Sequence, residues 1–357
     1  GAQNLEKVRS VVGSTLFMTL IGGSVIAFLG VLFAKQILLL LGIDPEIMHL
    51  SLPYVQWMMA GSPLLFVYII YTSILRGVGD SITPLIALGM TSIIGFVITP
   101  ILIAGYFGFP KLGIIAPAIA SIIGYAAVLL FLMVYLNKKH HPLRPDAELF
   151  RHIRHQPELS RIILSLGIPT GIQMVTTSVA GLVIIGLVNR YGSEATAAYG
   201  AVNQVIGYVQ FPAISIAITT SIFGAQAIGR GDSNRVGAIV RTGIEMNLWL
   251  TGGLVVLGYL FARPLMGFFI RDSAVLALAQ QLLYIVLWSM VLFGMATVFS
   301  GAMRAGGTVW MPLFLSTLAI ALVEVPVAIV LSRAIGITGI WIAYPVTFAT
   351  MFLLQMA

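Results

Sequence analysis

The sequence predicts an all-α polytopic membrane protein whose helices form two lobes, and three observations carry that prediction. Hydrophobic residues fill 59% of the 357 positions and charged residues only 9%, against about 25% charged in soluble domains. The apolar residues gather into ten runs, each near or above the ~20 residues that a helix needs to cross a bilayer. The chain also repeats itself at a spacing of 228 residues, the mark of a duplicated architecture.

Taken in order, the runs cover residues 11–34, 48–75, 82–107, 112–136, 161–189, 195–228, 236–262, 274–303, 309–332 and 337–357. The first reads as a span and not as a cleaved leader. Several exceed the minimum and must tilt, kink or project into water. Pro63, Pro100, Pro117, Pro212, Pro326 and Pro345 lie inside runs; each lacks a backbone donor and is expected to bend its helix. With no Cys in the chain, a disulfide framework and a thiolate metal site are excluded.

A net charge of +7 would suit a nucleic-acid binder, but the distribution of charge points to membrane topology instead. Of the 19 Lys and Arg, 13 fall on alternate loops beginning with the N-terminus and 6 on the opposite side. The side richer in Lys and Arg is cytoplasmic. Gly1, the 137–160 loop and the 229–235 loop are therefore expected in the cytoplasm, and the protein in the plasma (inner) membrane.

The 137–160 loop is the one long hydrophilic stretch. Its Pro and charge content predicts a linker, with a surface helix around Ala147–His155. It divides an N-terminal lobe, 1–136, from a C-terminal lobe, 161–357. His140, His141, His152 and His155 read as solvated loop residues, since no further ligand is arranged around them; no metal site is expected.

The repeat pairs Gly1, Lys7 and Val8 with Gly229, Arg235 and Val236, and Arg76, Gly79, Pro84 and Leu85 with Arg304, Gly307, Pro312 and Leu313. After a two-residue slip, Pro100, Ile103, Gly113 and Ile114 pair with Pro326, Ile329, Gly339 and Ile340. Six runs separate each residue from its partner, so the chain returns to the same side and the lobes are parallel repeats. Four spans are seen in the first lobe and six in the second, of an expected six and six; a helix pair mirroring 166–228 is expected to be missing from the front. Arg76 and Arg304, each in a Gly-rich turn, read as helix C-terminal caps and topology anchors.

Candidate site residues follow from polarity where polarity is expensive. A polar group in hydrocarbon must find a partner or a wet cavity, and two runs between Ser160 and Arg230 hold most such groups: Gln173, Thr176, Thr177, Ser178, Asn203, Gln204, Gln210, Thr219, Thr220 and Gln226. Gln173, Asn203, Gln204 and Gln210 either line a cavity or join helix to helix. Met174, Tyr199, Tyr208 and Phe211 would add a soft aromatic wall suited to lipophilic cations. Two carboxylates lie inside runs. Glu245 has Arg241 one turn earlier and an ion pair as its simpler explanation, whereas Glu324 has no basic residue within a turn. The Glu324 carboxylate either couples an ion or bonds backbone freed by Pro326.

Several stretches together resemble the multidrug and toxic compound extrusion (MATE) transporters: Gly167-Ile-Pro-Thr-Gly-Ile-Gln173, Ala197-Ala-Tyr-Gly-Ala-Val-Asn203, Gln210-Phe-Pro212, the loop from Gly224 to Asp232, and Gly301-Ala-Met-Arg-Ala-Gly-Gly307. The resemblance covers nearly the whole chain. It implies a drug/cation antiporter of two six-helix lobes around a cavity that opens alternately to either side, lined largely by the first two helices of each lobe. The best-known branch carries acids on its seventh and tenth helices; Thr177 and about Phe293 stand at those positions in this chain. An acid on the family's first helix has no counterpart in this sequence.

The expected function is secondary active export of amphiphilic or cationic small molecules. Its substrate or cavity residues would be Gln173, Met174, Thr177, Asn203, Gln204, Tyr208 and Gln210, and its ion-coupling residue Glu324 or Glu245. H+ or Na+ would be the coupling ion, with no cofactor and no catalytic residue. The alternative is a flippase for lipid or lipid-linked saccharide on the same fold, which would need several Arg or Lys in its cavity. An enzyme is disfavoured by the absence of any HExxH, clustered Asp or Ser/His/Asp arrangement inside the runs. Membrane lipids are the expected surroundings, nucleic acid is not an expected partner, and a monomer is expected.

Overall fold

The computed structural model describes residues 4–40 and 43–357, and the described residues form fifteen α-helices and no strand. They are α1 (Leu5–Leu32), α2 (Ala34–Leu40), α3 (Pro45–Gly77), α4 (Ile82–Ala104), α5 (Ala116–Lys138), α6 (Ala147–His152), α7 (Pro157–Asn189) and α8 (Ser193–Gly229). There follow α9 (Arg235–Leu260), α10 (Ala262–Phe269), α11 (Ser273–Val286), α12 (Ser289–Ala305), α13 (Trp310–Ala319), α14 (Val325–Ile335) and α15 (Ile337–Met356). Among the described residues nine helical segments are long and apolar enough to cross a membrane, α13 and α14 counting as one, and the α11–α12 pair, bent by 44°, makes a tenth. That bent pair is the run read from sequence as 274–303.

Its bend owes nothing to proline. The Ser289 hydroxyl donates to the Val286 carbonyl at 2.5 Å, and the Met290 and Val291 amides reach back only three residues, to Leu287 and Trp288. A side chain has entered the helical ladder, which is enough to kink a helix. Pro326 follows a π-helical turn inside one continuous span, but Pro117, expected to bend its helix from within, instead sits in the opening turn of α5. Proline is well placed there, because the first amides of a helix have no partner to lose.

The chain divides between Ile163 and Leu164, inside α7, into two compact units. In the first, α1 packs on α3, α3 on α5, α4 on α5, and α6 on α1. Its core joins Val12, Leu16, Tyr68, Leu75 and Leu132 to Leu143 and Leu149 of the 137–160 segment. That segment therefore folds onto the bundle that precedes it. Asp146 caps α6, its Oδ1 accepting from the Leu149 N–H at 2.9 Å, and Arg9 of α1 pairs with Asp146 and Glu148. The Tyr71 hydroxyl donates to the Leu143 carbonyl at 2.5 Å.

The second unit repeats this plan. Its α9 packs on α12, α12 on α15, and α14 on α15. Helix starts Ala34 and Ala262, Pro45 and Ser273, and Ile82 and Trp310, and the ends Gly77 and Ala305, each differ by 228 positions. The details agree as well: Asp44 caps α3 and Asp272 caps α11 through the side-chain oxygen. After α3, Gly79 at φ 97° bonds the Arg76 carbonyl while the Asp80 amide reaches Leu75; after α12, Gly307 at φ 81° bonds Arg304 and Thr308 reaches Met303. Glycine is needed at both turns because the helix ends in a left-handed residue that a Cβ disfavours. In the second unit α8 packs on α9, α11 and α12 as well, and its core gathers around Trp341, Leu283 and Met290.

Candidate functional site

Two groups of polar side chains in the second unit centre on one helical span, Trp310–Ile335. The first surrounds Ser316 of α13. Its hydroxyl accepts from Gln173 Nε2 of α7 at 2.9 Å and from Gln355 Nε2 of α15 at 3.1 Å. Gln173 Oε1 in turn accepts from Arg304 Nη2 at 2.6 Å. Arg304 is thus not confined to capping α12; its guanidinium turns into the bundle, where its Nε is buried without a partner. Arg76, at the equivalent repeat position, stays exposed and donates to Ser73.

The second group surrounds Glu324, eight residues beyond Ser316, or about 12 Å along a helix at ~1.5 Å per residue. Pro326 has no amide hydrogen, and the Val325 amide bonds Ile320 five residues back, so Ile320–Glu324 forms a π-helical turn. Such turns are rare and concentrate at functional sites. Glu324 is only 8% exposed, and among the described residues no ion pair or hydrogen bond reaches its carboxylate. The turn that carries Glu324 packs on α15, whose Tyr344 shares a 2.8 Å hydroxyl contact with Tyr199 of α8. Tyr199 stacks on Trp341 at 5.9 Å between ring centroids.

A groove of about 580 Å³ opens between α8 and α9. Pro212, Ile216, Phe223, Met246 and Leu250 give it apolar walls, Ser215, Thr219, Thr220, Gln226 and Thr242 supply polar points, and Arg230, Asp232 and Arg235 stand at one end. Asp232 is paired with Arg235 at 3.4 Å.

The residues singled out from the sequence are distributed among these features unevenly. Gln173 is half-buried with both ends of its amide engaged inside the bundle. Met174, Thr177, Gln204 and Tyr208 are exposed, the last two joined at 3.2 Å, and Asn203 and Gln210 are half-buried. Glu245 is exposed and held by Arg241 at 2.9 Å, the ion pair its spacing allows. None of these residues lines the groove, although Thr219, Thr220 and Gln226 from the same polar stretch do.

Two comparisons decide the family. The MatE family model matches residues 1–101 and 169–330, and the chain is 44% identical over 356 residues to the probable multidrug resistance protein YoeA of Bacillus subtilis, covering 99% of this chain and 77% of that one. The chain belongs to the MatE family. A probable multidrug resistance protein NorM of Thermotoga maritima is 24% identical, covering 96% of this chain and 73% of its own length. The fold matches an outward-facing multidrug resistance MATE family transporter of the MOP superfamily, with a TM-score of 0.90 at 19% identity, over 99% of this chain and 78% of that one.

Members of the MatE family are transporters and not enzymes, and this chain is a multi-pass membrane transporter. Within that frame Thr177 is exposed on α7, while Phe293 packs its ring edge-on against Phe348 at 5.2 Å, so neither position offers a carboxylate. Sequence reasoning missed Asn247 of α9. Wholly buried, it donates from Nδ2 to the Val291 carbonyl at 3.1 Å and accepts from the Thr251 hydroxyl at 2.8 Å. The signal was an amide inside an apolar run with Thr one turn later.

Proposed function

We propose that this MatE-family chain is a secondary active multidrug exporter, antiporting amphiphilic or cationic compounds against H+ or Na+ by alternating access in the plasma membrane. The observation that carries the reading is Glu324. A carboxylate inside a span is costly and by default functional. This one has no basic partner among the described residues and sits on a π turn, so nothing structural accounts for it. Glu245, with Arg241 as its partner, is the weaker coupling candidate. Met174, Thr177, Gln204 and Tyr208 supply an exposed soft and polar wall for substrate, with Asn203 and Gln210 behind it, while Gln173 positions α7. No cofactor beyond the coupling ion is invoked, the exporter works as a monomer, and the 137–160 segment lies in the cytoplasm.

The resistance named for the B. subtilis relative supports drug as cargo. So does the α8–α9 groove, whose volume falls within the ~300–1,000 Å³ of small-molecule sites. The test is uptake of a fluorescent lipophilic cation into vesicles holding the full-length protein, under an imposed H+ or Na+ gradient. Movement that follows one gradient and stops when it is collapsed supports antiport; movement indifferent to both gradients removes it.

One observation favours the second reading, a flippase for lipid or lipid-linked saccharide. The groove carries Arg230 and Arg235 against a single Asp232, an excess of positive charge suited to a phosphate. Scrambling of a fluorescent phosphate-bearing lipid in the same vesicles, with no gradient-driven cation movement, would favour it.

A further inference from the structure

A second groove, in the unit that precedes Leu164, plays no part in the reading above. It holds about 200 Å³ between α1, α3, α5 and α6, with Leu20, Val67, Met133, Leu149, Phe150 and Ile153 among its walls. The only hydroxyl among its lining residues, on Tyr71, is already committed to the Leu143 carbonyl. A site this narrow, with no free polar group to orient a ligand, does not suit a drug-sized molecule, whose pockets run to about 300–1,000 Å³ and carry a few polar anchors. It suits a flexible hydrocarbon chain.

The charges around it point to what carries that chain. Arg9 binds Asp146 and Glu148, and Arg144 binds Asp146 at 3.1 Å, so both acids on the near side of α6 are neutralised. Arg151 and Arg154 are exposed, and no ion pair holds them among the described residues. They directly follow or flank the lining residues Phe150 and Ile153. The 137–160 segment connects two spans, so α6 lies where the spans leave the membrane. Basic residues at that depth attract anionic headgroups, and exposed Phe150 of α6 carries the groove's apolar lining out toward them.

We propose that this groove holds one acyl chain of an anionic phospholipid, its headgroup resting on Arg151 and Arg154. The lipid would pack α6 against α1, α3 and α5, completing a wall that protein atoms leave open.

The test uses the full-length protein in phosphatidylcholine vesicles doped with phosphatidylglycerol bearing a photoreactive group near the end of one acyl chain. After illumination, labelled peptides are mapped by mass spectrometry. The expected result is labelling concentrated on peptides containing Met133 and 149–153, competed by unlabelled phosphatidylglycerol and not by phosphatidylcholine. Arg151→Gln and Arg154→Gln should each lower that labelling by up to about fivefold, with labelling elsewhere on the spans unchanged. Met133→Trp, which fills the groove without touching the arginines, should abolish it at these peptides.

Equal labelling by a matched phosphatidylcholine probe, unaffected by the arginine changes, would show only a surrounding lipid and overturn the proposal. So would displacement of the label by a transported cation, which would make the groove a drug site. Protection of these peptides from every probe, together with cross-linking between two copies at α6, would assign the groove to a dimer contact and equally overturn it.

Discussion

Arg304 at the end of α12 donates from Nη2 to Oε1 of Gln173 in the body of α7 at 2.6 Å, across 131 residues of sequence. The same amide donates to Ser316, so one side chain ties α7 to α12 and α13. Replacing Gln173 by Leu strips the guanidinium of its acceptor and Ser316 of a donor. A hydrogen bond to a charged group is worth about 1.5–3 kcal/mol, and a loss of that order is expected in unfolding of the purified protein. Arg304→Leu in the same background should recover part of it, giving a coupling of about 1 kcal/mol or more. Additive losses would mean that the contact contributes nothing.

Asn247 offers a second test. Its amide bonds Val291 in the first turn of α12, where the ladder is broken, and its oxygen holds Thr251. Gly294 leaves room for that amide, since a Cβ there would collide with the Asn247 side chain. Asn247→Leu is expected to cost about 1–3 kcal/mol through the groups left unpaired, and Gly294→Ala to destabilise through overpacking by about 1–3 kcal/mol. Thermal unfolding in detergent reads both; an unchanged midpoint in either variant would contradict the arrangement.

The 137–160 segment should loosen in acid. The Leu149 N–H, followed by Arg144 and Arg9, holds the Asp146 carboxyl below its ordinary value of 3.8. A depressed carboxylate stabilises the folded state above the ordinary value and loses that contribution as pH falls through the folded one. Docking of α6 is therefore expected to persist at neutral pH and weaken below pH 3.8. Hydrogen exchange of residues 146–152 should accelerate in that window, and Asp146→Asn should show the acceleration already at neutral pH. Equal protection in the variant would remove Asp146 from the docking.

Much of the architecture could be read from the chain because its causes are local or repeated. Run length and hydropathy mark the spans, and the pairs Arg76/Arg304 and Gly79/Gly307 mark turns that the two units build identically. What could not be read depends on which way a side chain turns. Arg304 and Arg76 occupy equivalent turns, yet only Arg304 enters a bundle, because Gln173 and Ser316 wait there for it. Glu324 was visible as a lone acid before Pro326, but its burial comes from the packing of α15 on its turn. The Ser289 bend was hidden because sequence reasoning assigns kinks to proline.

Coupling of export to an ion gradient through Glu324, as proposed above, is read by comparing Glu324→Gln with the unaltered full-length protein in vesicles. A fluorescent lipophilic cation is followed twice, once driven by an imposed H+ or Na+ gradient and once in exchange for unlabelled cation with no gradient. Gradient-driven transport is predicted to fall to the leak rate in the variant while exchange continues. Gradient-driven transport at the unaltered rate in the variant would remove Glu324 from coupling.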